Sequence, residues 1–532
     1  MLGASIFALL STTATAKPPK PTADTASAAP LLAPWTGPYG GVPSFDRIKV
    51  PMFKPALTVA MAENLSEVQA IANNPAAATF DNTIVALERT GKTLARIYAS
   101  FNIWSGNLNT PDFQKVEEEM APKLSAMQDS ITQNPKLFAR IDAVYTSPAK
   151  AKLTAEQQRL VWYYWNSFVQ AGAKLNPAQK TELSAVNQKL AGLYTKFSQN
   201  QLADEEQQAL ILDSKDQLAG LSAAQIDAAT TEAARRKLPG KWVIANTRSS
   251  MEPFLTYSSD RALREKGFRL WTSRGDMGGA TDNNGIVTQI LALRAQKAKL
   301  LGYPTYAHWH LADTMAKTPD HAMALMLSVW KPAVAQVHKD VAEMQKLVDA
   351  EGGNFKIQPW DYRYYAEKVR KAKYDLDMNE VKPYLQLEKV RLAMFWAAGQ
   401  LYGYTFTEVH NVPVFHPDVK TFEVKGRDGA HVGLIYFDPF ARAGKNSGAW
   451  MNEIRTQQKL GGASPIVTNN ENYSKPPAGQ PAELSWDDAS TLFHEFGHAL
   501  HGLNSNVTYP SIAGTNVARD YVEFPSQFNE HW

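Results

Sequence analysis

The stretch 485–506 constrains this chain more than any other part of it. Leu492, Phe493, Phe496, Ala499, Leu500 and Leu503 recur at helical spacing. Ser485 stands where an N-cap belongs, with Asp488 three residues on, and Gly502 and Asn504 to Asn506 supply stop signals. The helix so bounded carries His494, Glu495 and His498 in the pattern His-Glu-x-x-His. Histidines four apart share one helix face, about 6 Å apart along the axis, so both imidazoles can reach one metal ion. Glu495 projects about 100° round, beside such an ion, where it can hold and deprotonate a metal-bound water. The pattern predicts a zinc site with hydrolytic chemistry. Gly497 lies inside the same helix, at a cost of about 1 kcal/mol relative to alanine. That predicts close approach of another backbone, a strand or an extended substrate.

Two histidines leave a catalytic zinc one protein ligand short. The chain has no cysteine, so the third ligand must be His, Asp or Glu. His501 lies near the same face but about 10 Å along the axis from His494, too far to share the ion readily. Asp520 and Glu523 are better placed, on a second segment. If 519–524 is helical they are one turn apart, and Pro525 then bends or ends that helix. Glu523 as ligand with Asp520 steadying a histidine N–H makes a coherent site, though spacing alone leaves open which acid is the ligand. His308, His310, His321, His338, His410, His416, His431 and His531 show no ligand spacing to the motif and read as surface or hydrogen-bonded core residues.

Elsewhere the pattern is mostly helical. Ile84, Leu87, Leu94, Tyr98 and Phe101 repeat at helical intervals, as do Leu183, Val186, Leu190, Tyr194 and Phe197, and Ile286, Ile290, Leu293 and Leu300. These stripes, and the aromatic runs 160–165 and 360–365, read as packing first. Pro332 should kink or split the helix around it. Strand signals concentrate before the motif: 421–424 and 431–437 flank a turn at 426–429 and predict a hairpin, and 465–468 predicts a further strand.

Bulk properties narrow the function. Net charge is +3 over 532 residues, which gives no electrostatic reason to expect nucleic acid as a partner. No apolar run reaches the roughly 18 residues of a membrane span. Residues 1–30 read as a signal peptide and flexible leader: 2–10 is apolar, Ala14-Thr-Ala16 matches a small-x-small cleavage site, and 17–30 is rich in Pro, Ala, Ser and Thr. Export to the periplasm or medium is expected. No Lys or Arg precedes the apolar stretch, so a cytoplasmic location is the alternative.

Around the motif the residues resemble the thimet oligopeptidase family of zinc peptidases. The resemblance rests on His494-Glu-Phe-Gly-His-Ala-Leu-His501 followed by Gly514-Thr-Asn-Val-Ala-Arg-Asp-Tyr-Val-Glu523-Phe-Pro-Ser-Gln527. Tyr436-Phe-Asp-Pro-Phe-Ala-Arg-Ala-Gly-Lys445, Asn472-Tyr-Ser-Lys-Pro476 and Trp360-Asp-Tyr-Arg-Tyr-Tyr365 extend it, and the opening Trp35-Thr-Gly-Pro-Tyr-Gly-Gly-Val-Pro43 is most similar to the bacterial peptidyl-dipeptidase branch. The resemblance implies one zinc held by His494, His498 and Glu523, with Glu495 as general base. It implies a mainly α, elongated zincin-type body over 31–532. Two interwoven helical halves, a small hairpin or sheet beside the active-site helix and a deep channel for short peptides complete that picture. The branch implies release of C-terminal dipeptides; an endopeptidase of the oligopeptidase A kind is the alternative.

Family members continue past the position of Trp532 through a helical segment whose histidine and tyrosines face the substrate carbonyl. That segment is therefore expected to be absent here, with apolar surface exposed where it packs. This leaves a catalytically impaired zinc-binding fragment as the reading from another class. A monomer is expected. Arg442 or Lys445, beyond the hairpin, is a candidate for meeting a substrate carboxylate.

Overall fold

The computed structural model describes residues 28–532, the side chain of Asn379 excepted. The expected leader cleavage lies outside the described residues. The described residues are mainly helical, with two small sheets. Helix α1 (Phe53–Ala72) buries Phe53, Ala56, Leu57, Ala60 and Val68 along one face, against α2 (Lys92–Asn107) and α3 (Pro111–Thr132). Phe53 meets Phe101, Trp104 and Phe113 edge-on, with ring centroids 5.3–5.9 Å apart. Such pairs add about 0.5–1.5 kcal/mol each beyond area burial. The stripe from Ile84 to Phe101 belongs to two helical segments, separated at Gly91, which adopts φ +68°. Helix α4 (Pro177–Gln207) carries the second stripe.

A two-stranded antiparallel ribbon, β1 (Ala209–Leu212) with β2 (Trp242–Ala245), precedes α5 (Arg248–Tyr257) and α6 (Arg261–Thr272). Helix α7 (Pro319–Ala350) runs unbroken through Pro332 rather than splitting there. Its first half is exposed, so the carbonyl that proline leaves unbonded faces water. Leu325 and Trp330 on α7 are 69% and 67% exposed. Helix α8 (Pro359–Tyr374) holds Asp361 fully buried between Arg261 and Arg264 of α6, at 2.9 and 3.0 Å. Within the run 360–365, Asp361 and Tyr365 are thus buried as packing, whereas Tyr362 is exposed.

Helix α9 (Leu387–Tyr402) leads into the main sheet: β3 (Thr405–Val409), β4 (Lys420–Lys425), β5 (His431–Phe440), β6 (Trp450–Arg455) and β7 (Ile466–Tyr473). Strand order is β3-β4-β5-β7-β6, with β5 and β7 parallel and the other pairs antiparallel. The expected hairpin is β4–β5, and the strand expected near 465–468 is β7. Alternation along β5 splits its side chains between two cores. Leu434 and Tyr436 join the N-terminal helices, while Ile435 and Phe437 face α9 and α10 (Trp486–Leu503). A sheet covered on both faces explains why β5 and β7 read as continuous apolar or buried runs rather than clean alternation.

Candidate metal centre

Helix α10 starts as its sequence predicts. The Ser485 hydroxyl accepts from the Asp488 N–H at 3.0 Å, and the Asp488 carboxylate accepts from the Ser485 N–H at 3.0 Å. Leu492, Phe496, Ala499, Leu500 and Leu503 sink into the core against α9 and the sheet. The opposite side carries His494 and His498, whose rings lie 5.0 Å apart and nearly perpendicular.

A second helix, α11 (Glu523–Asn529), brings the acid. Glu523 Oε2 lies 3.3 Å from His494 Nε2 and 3.1 Å from His498 Nε2. Among the described residues these three form the group of possible metal ligands, their ligand atoms all within 4.8 Å of one another. The Ser526 hydroxyl donates to that same Oε2 at 3.1 Å. The helix begins at Glu523, not at 519, and Pro525 lies in its first turn, where a missing N–H costs nothing.

Close approach to Gly497 is real, but neither a strand nor a substrate makes it. A Cβ there would fall 2.6 Å from Ser526 Cα and 3.0 Å from the Pro525 carbonyl oxygen, so the neighbour is α11 itself. The glycine in the motif is the notch that admits the helix bearing Glu523.

Asp520 does not steady a histidine. Its carboxylate accepts from the N–H groups of Met315 and Ala316, at 2.8 and 2.9 Å, in the turn before α7. With 519–522 in turn conformation, Asp520 leaves the histidine face. The carboxylate at His494 Nδ1 is Glu530, 2.7 Å away. Glu530 stands seven residues after Glu523, two helical turns on, so its periodicity with Glu523 was the signal available in the sequence. His501 stands outside the ligand group.

Glu495 is buried, and its Oε2 has no hydrogen-bond partner. Burial pushes its carboxyl up to about 7, with Glu523 adding to the rise and His494 opposing it. Such a group is half-protonated near neutrality, which suits a base that takes and returns a proton.

Arg442 and Lys445 are also placed otherwise than expected. Arg442 makes a two-pronged pair with Asp438, both contacts at 2.7 Å. Lys445 is buried and donates to the carbonyls of Asp438, Phe440 and Glu471. Both serve the sheet rather than a cleft carboxylate. Asn107 joins the same cluster, donating to Asp438 and Asn470 at 2.7 Å and tying α2 to the sheet.

A cleft of about 980 Å³ opens along the first half of α10. Thr491 and Asp488, four and seven residues before Glu495, line one side, and α5 and α8 line the other.

The model of Peptidase family M3 matches residues 254–532. The chain belongs to that family. The dipeptidyl carboxypeptidase of Escherichia coli (strain K12) is 41% identical over 505 residues, covering 94% of this chain and 74% of its own length. The oligopeptidase A of the same organism is 29% identical over 511 residues, again 94% of this chain and 74% of its own. A crystal structure assigned as an oligoendopeptidase F superposes with a TM-score of 0.51 at 13% identity, over 90% of this chain and 68% of that one. That last likeness speaks to the fold. As an M3 peptidase, the chain is a hydrolase of peptide bonds. No helix among the described residues is long and apolar enough to cross a membrane.

Proposed function

We propose that this M3 peptidase is a zinc-dependent peptidyl-dipeptidase, releasing dipeptides from the C-termini of short peptides. The observation that carries the reading is the unpartnered, buried Glu495 carboxyl beside His494, His498 and Glu523. Zinc fits this donor set. Bonds of about 2.0–2.2 Å in a tetrahedral site call for ligand atoms about 3.3–3.6 Å apart, and the two His–Glu separations, 3.3 and 3.1 Å, lie at and just under the lower end of that range. His494, His498 and Glu523 would hold the ion. When bound, zinc supplies a Lewis acid that polarises a carbonyl and makes water acidic near neutral pH.

The chain's own groups do the rest. Glu530 fixes the tautomer and orientation of His494 by accepting from Nδ1. Glu495 takes the proton of the attacking water on Oε2 and returns it to the leaving amine. Packing around Glu495 keeps bulk water from solvating it and so raises its affinity for that proton above that of an ordinary carboxylate. Dipeptide release is favoured over internal cleavage by the higher identity to dipeptidyl carboxypeptidase than to oligopeptidase A. Stepwise C-terminal dipeptides among the products of a short peptide support it; internal fragments favour the oligopeptidase alternative.

The test of mechanism is Glu495→Gln. It should bind one zinc per chain, as the native protein does, and lose hydrolysis. Equal turnover at equal metal content overturns the role of Glu495. Zinc bound without turnover in the native chain favours the zinc-binding reading instead. The pattern at Ala14-Thr-Ala16 supports export. A cytoplasmic product with residues 1–16 retained overturns that.

A further inference from the structure

We propose that Lys382 is the specificity residue that receives the C-terminal carboxylate of the peptide. This deepens the peptidyl-dipeptidase reading and rests on it. Lys382 lines the 980 Å³ cleft along the first half of α10, whose lining reaches Thr491, one turn before Glu495. Arg248, Arg363 and Arg370 share that cleft, and each is already paired. Arg248 and Arg363 bind Glu252 at 3.0 and 2.6 Å, and Arg370 binds Glu367. Among the described residues, no carboxylate lies within ion-pair distance of the half-buried Lys382 ammonium, and no carbonyl accepts from it. Its nearest neighbour of note is the ring of Tyr257, 5.5 Å away.

The acids around Lys382 are committed elsewhere. Asp488 is tied to the Ser485 N-cap, Glu367 to Arg370, and Glu483 is exposed to solvent. They favour the charged ammonium from a distance, while burial holds it below the ordinary lysine value. The result is a desolvated cation that lacks a contact anion, in a cleft whose other cations have theirs. An incoming carboxylate restores the missing partner, and a charged hydrogen bond of this kind is stronger than a neutral one.

Position supports the assignment. Lys382 opens the short turn Lys382–Tyr384. The chain after it is latched to the segment entering α10: the Leu484 N–H donates to Leu385 at 2.9 Å and the Leu387 N–H to Ala482 at 2.8 Å. Lys382 is thereby held to the N-terminal end of the motif helix. Asp488, one of the charges it senses, is about 10 Å along the helix from Glu495. Two extended residues span about 7 Å. A carboxylate two residues beyond the cut therefore falls within reach of a lysine side chain at that end.

Binding can be read without turnover, in the zinc-loaded full chain carrying Glu495→Gln. The probes are benzoyl-Gly-Gly-Ala-Phe and its C-terminal amide, measured by calorimetry. With Lys382 present, the free acid should bind about 10- to 100-fold tighter than the amide. With Lys382→Met the two should bind alike, at the affinity of the amide, and Lys382→Arg should restore part of the preference. An acid-to-amide ratio unchanged by Lys382→Met overturns the proposal, as does absence of measurable acid binding. An equal loss for both probes does so too, since it marks a structural role. Turnover by the chain with Glu495 intact is assayed separately. Its failure counts against the peptidase mechanism, while the binding ratio still decides Lys382.

Discussion

Ser526 Cα stands where a side chain on residue 497 would point, 2.6 Å from the position of a Cβ built on Gly497. Asn529 Cβ is 2.9 Å from the same point. The glycine therefore sets how close α11 sits to α10, and with it the 3.1 Å approach of Glu523 to His498. Gly497→Ala should gain about 1 kcal/mol of helix propensity and lose more than that by overpacking, about 1–3 kcal/mol. A lower Tm together with weaker zinc retention in a chelator competition is expected. A variant that is more stable and holds zinc equally well shows that α11 has room to spare.

Glu530 and His494 supply the second prediction. The 2.7 Å contact at Nδ1 leaves Nε2 as the nitrogen facing Glu523, where the proposed zinc would sit. Glu530→Gln keeps the shape of the side chain and removes the charge that favours this arrangement. Zinc affinity should fall by about 10- to 100-fold, with little change in thermal stability of the metal-free chain. Asp520→Asn, by contrast, should leave zinc affinity alone and affect only the turn at Met315 and Ala316. Competition with a colorimetric chelator separates the two variants.

The contrast between Asp520 and Glu530 shows what was legible in the sequence. The motif helix was, because its cap, apolar face and histidine spacing all lie within one element. The β4–β5 hairpin was legible too, from two β-prone runs around a Gly-Arg-Asp-Gly turn. Asp520 was misassigned because the start of α11 is set by tertiary contact, not by a local cap: Val522 at its N-cap makes no side-chain bond. Edge strands β3 and β6 escaped for a related reason. Their residues, such as Thr405 and Asn452, are polar or half-exposed and acquire a strand identity from pairing with β4 and β7. Lys445 reads as a candidate for a substrate carboxylate, and nothing local shows that three carbonyls converge to bury it.

Asp361 tests whether the aromatic run on α8 is structural. Its carboxylate is completely buried and bound by Arg261 and Arg264. Removing one partner of a buried ion pair leaves uncompensated charge, at a cost of about 3–5 kcal/mol. Asp361→Asn should lower stability by an amount of that order in denaturant unfolding, while zinc stoichiometry at low temperature stays at the native value. Loss of zinc with stability unchanged overturns the structural assignment.

Glu471 carries the pH prediction. It is 1% exposed, on β7 beneath α10, and its Oε1 has no hydrogen-bond partner. Burial holds its carboxyl well above the usual value, Glu495 and Asp488 add to the rise, and Lys445 opposes it. A carboxyl raised in the folded state contributes stability that is fully present below its unfolded value, near 4.5 or just under. That stability is lost as pH rises toward the folded value, by up to about 1.4 kcal/mol per pH unit. Glutamine has the same shape and no such proton to lose. Glu471→Gln should therefore match the native chain in stability at pH 4 and exceed it progressively above pH 5, with both chains held metal-free in chelator. Denaturant unfolding at pH 4, 6 and 8 reads the difference directly, so acid loss of other carboxylates such as Asp438 cancels between the two. A difference that is constant with pH means Glu471 is ionised in the fold, with Lys445 as its counter-charge.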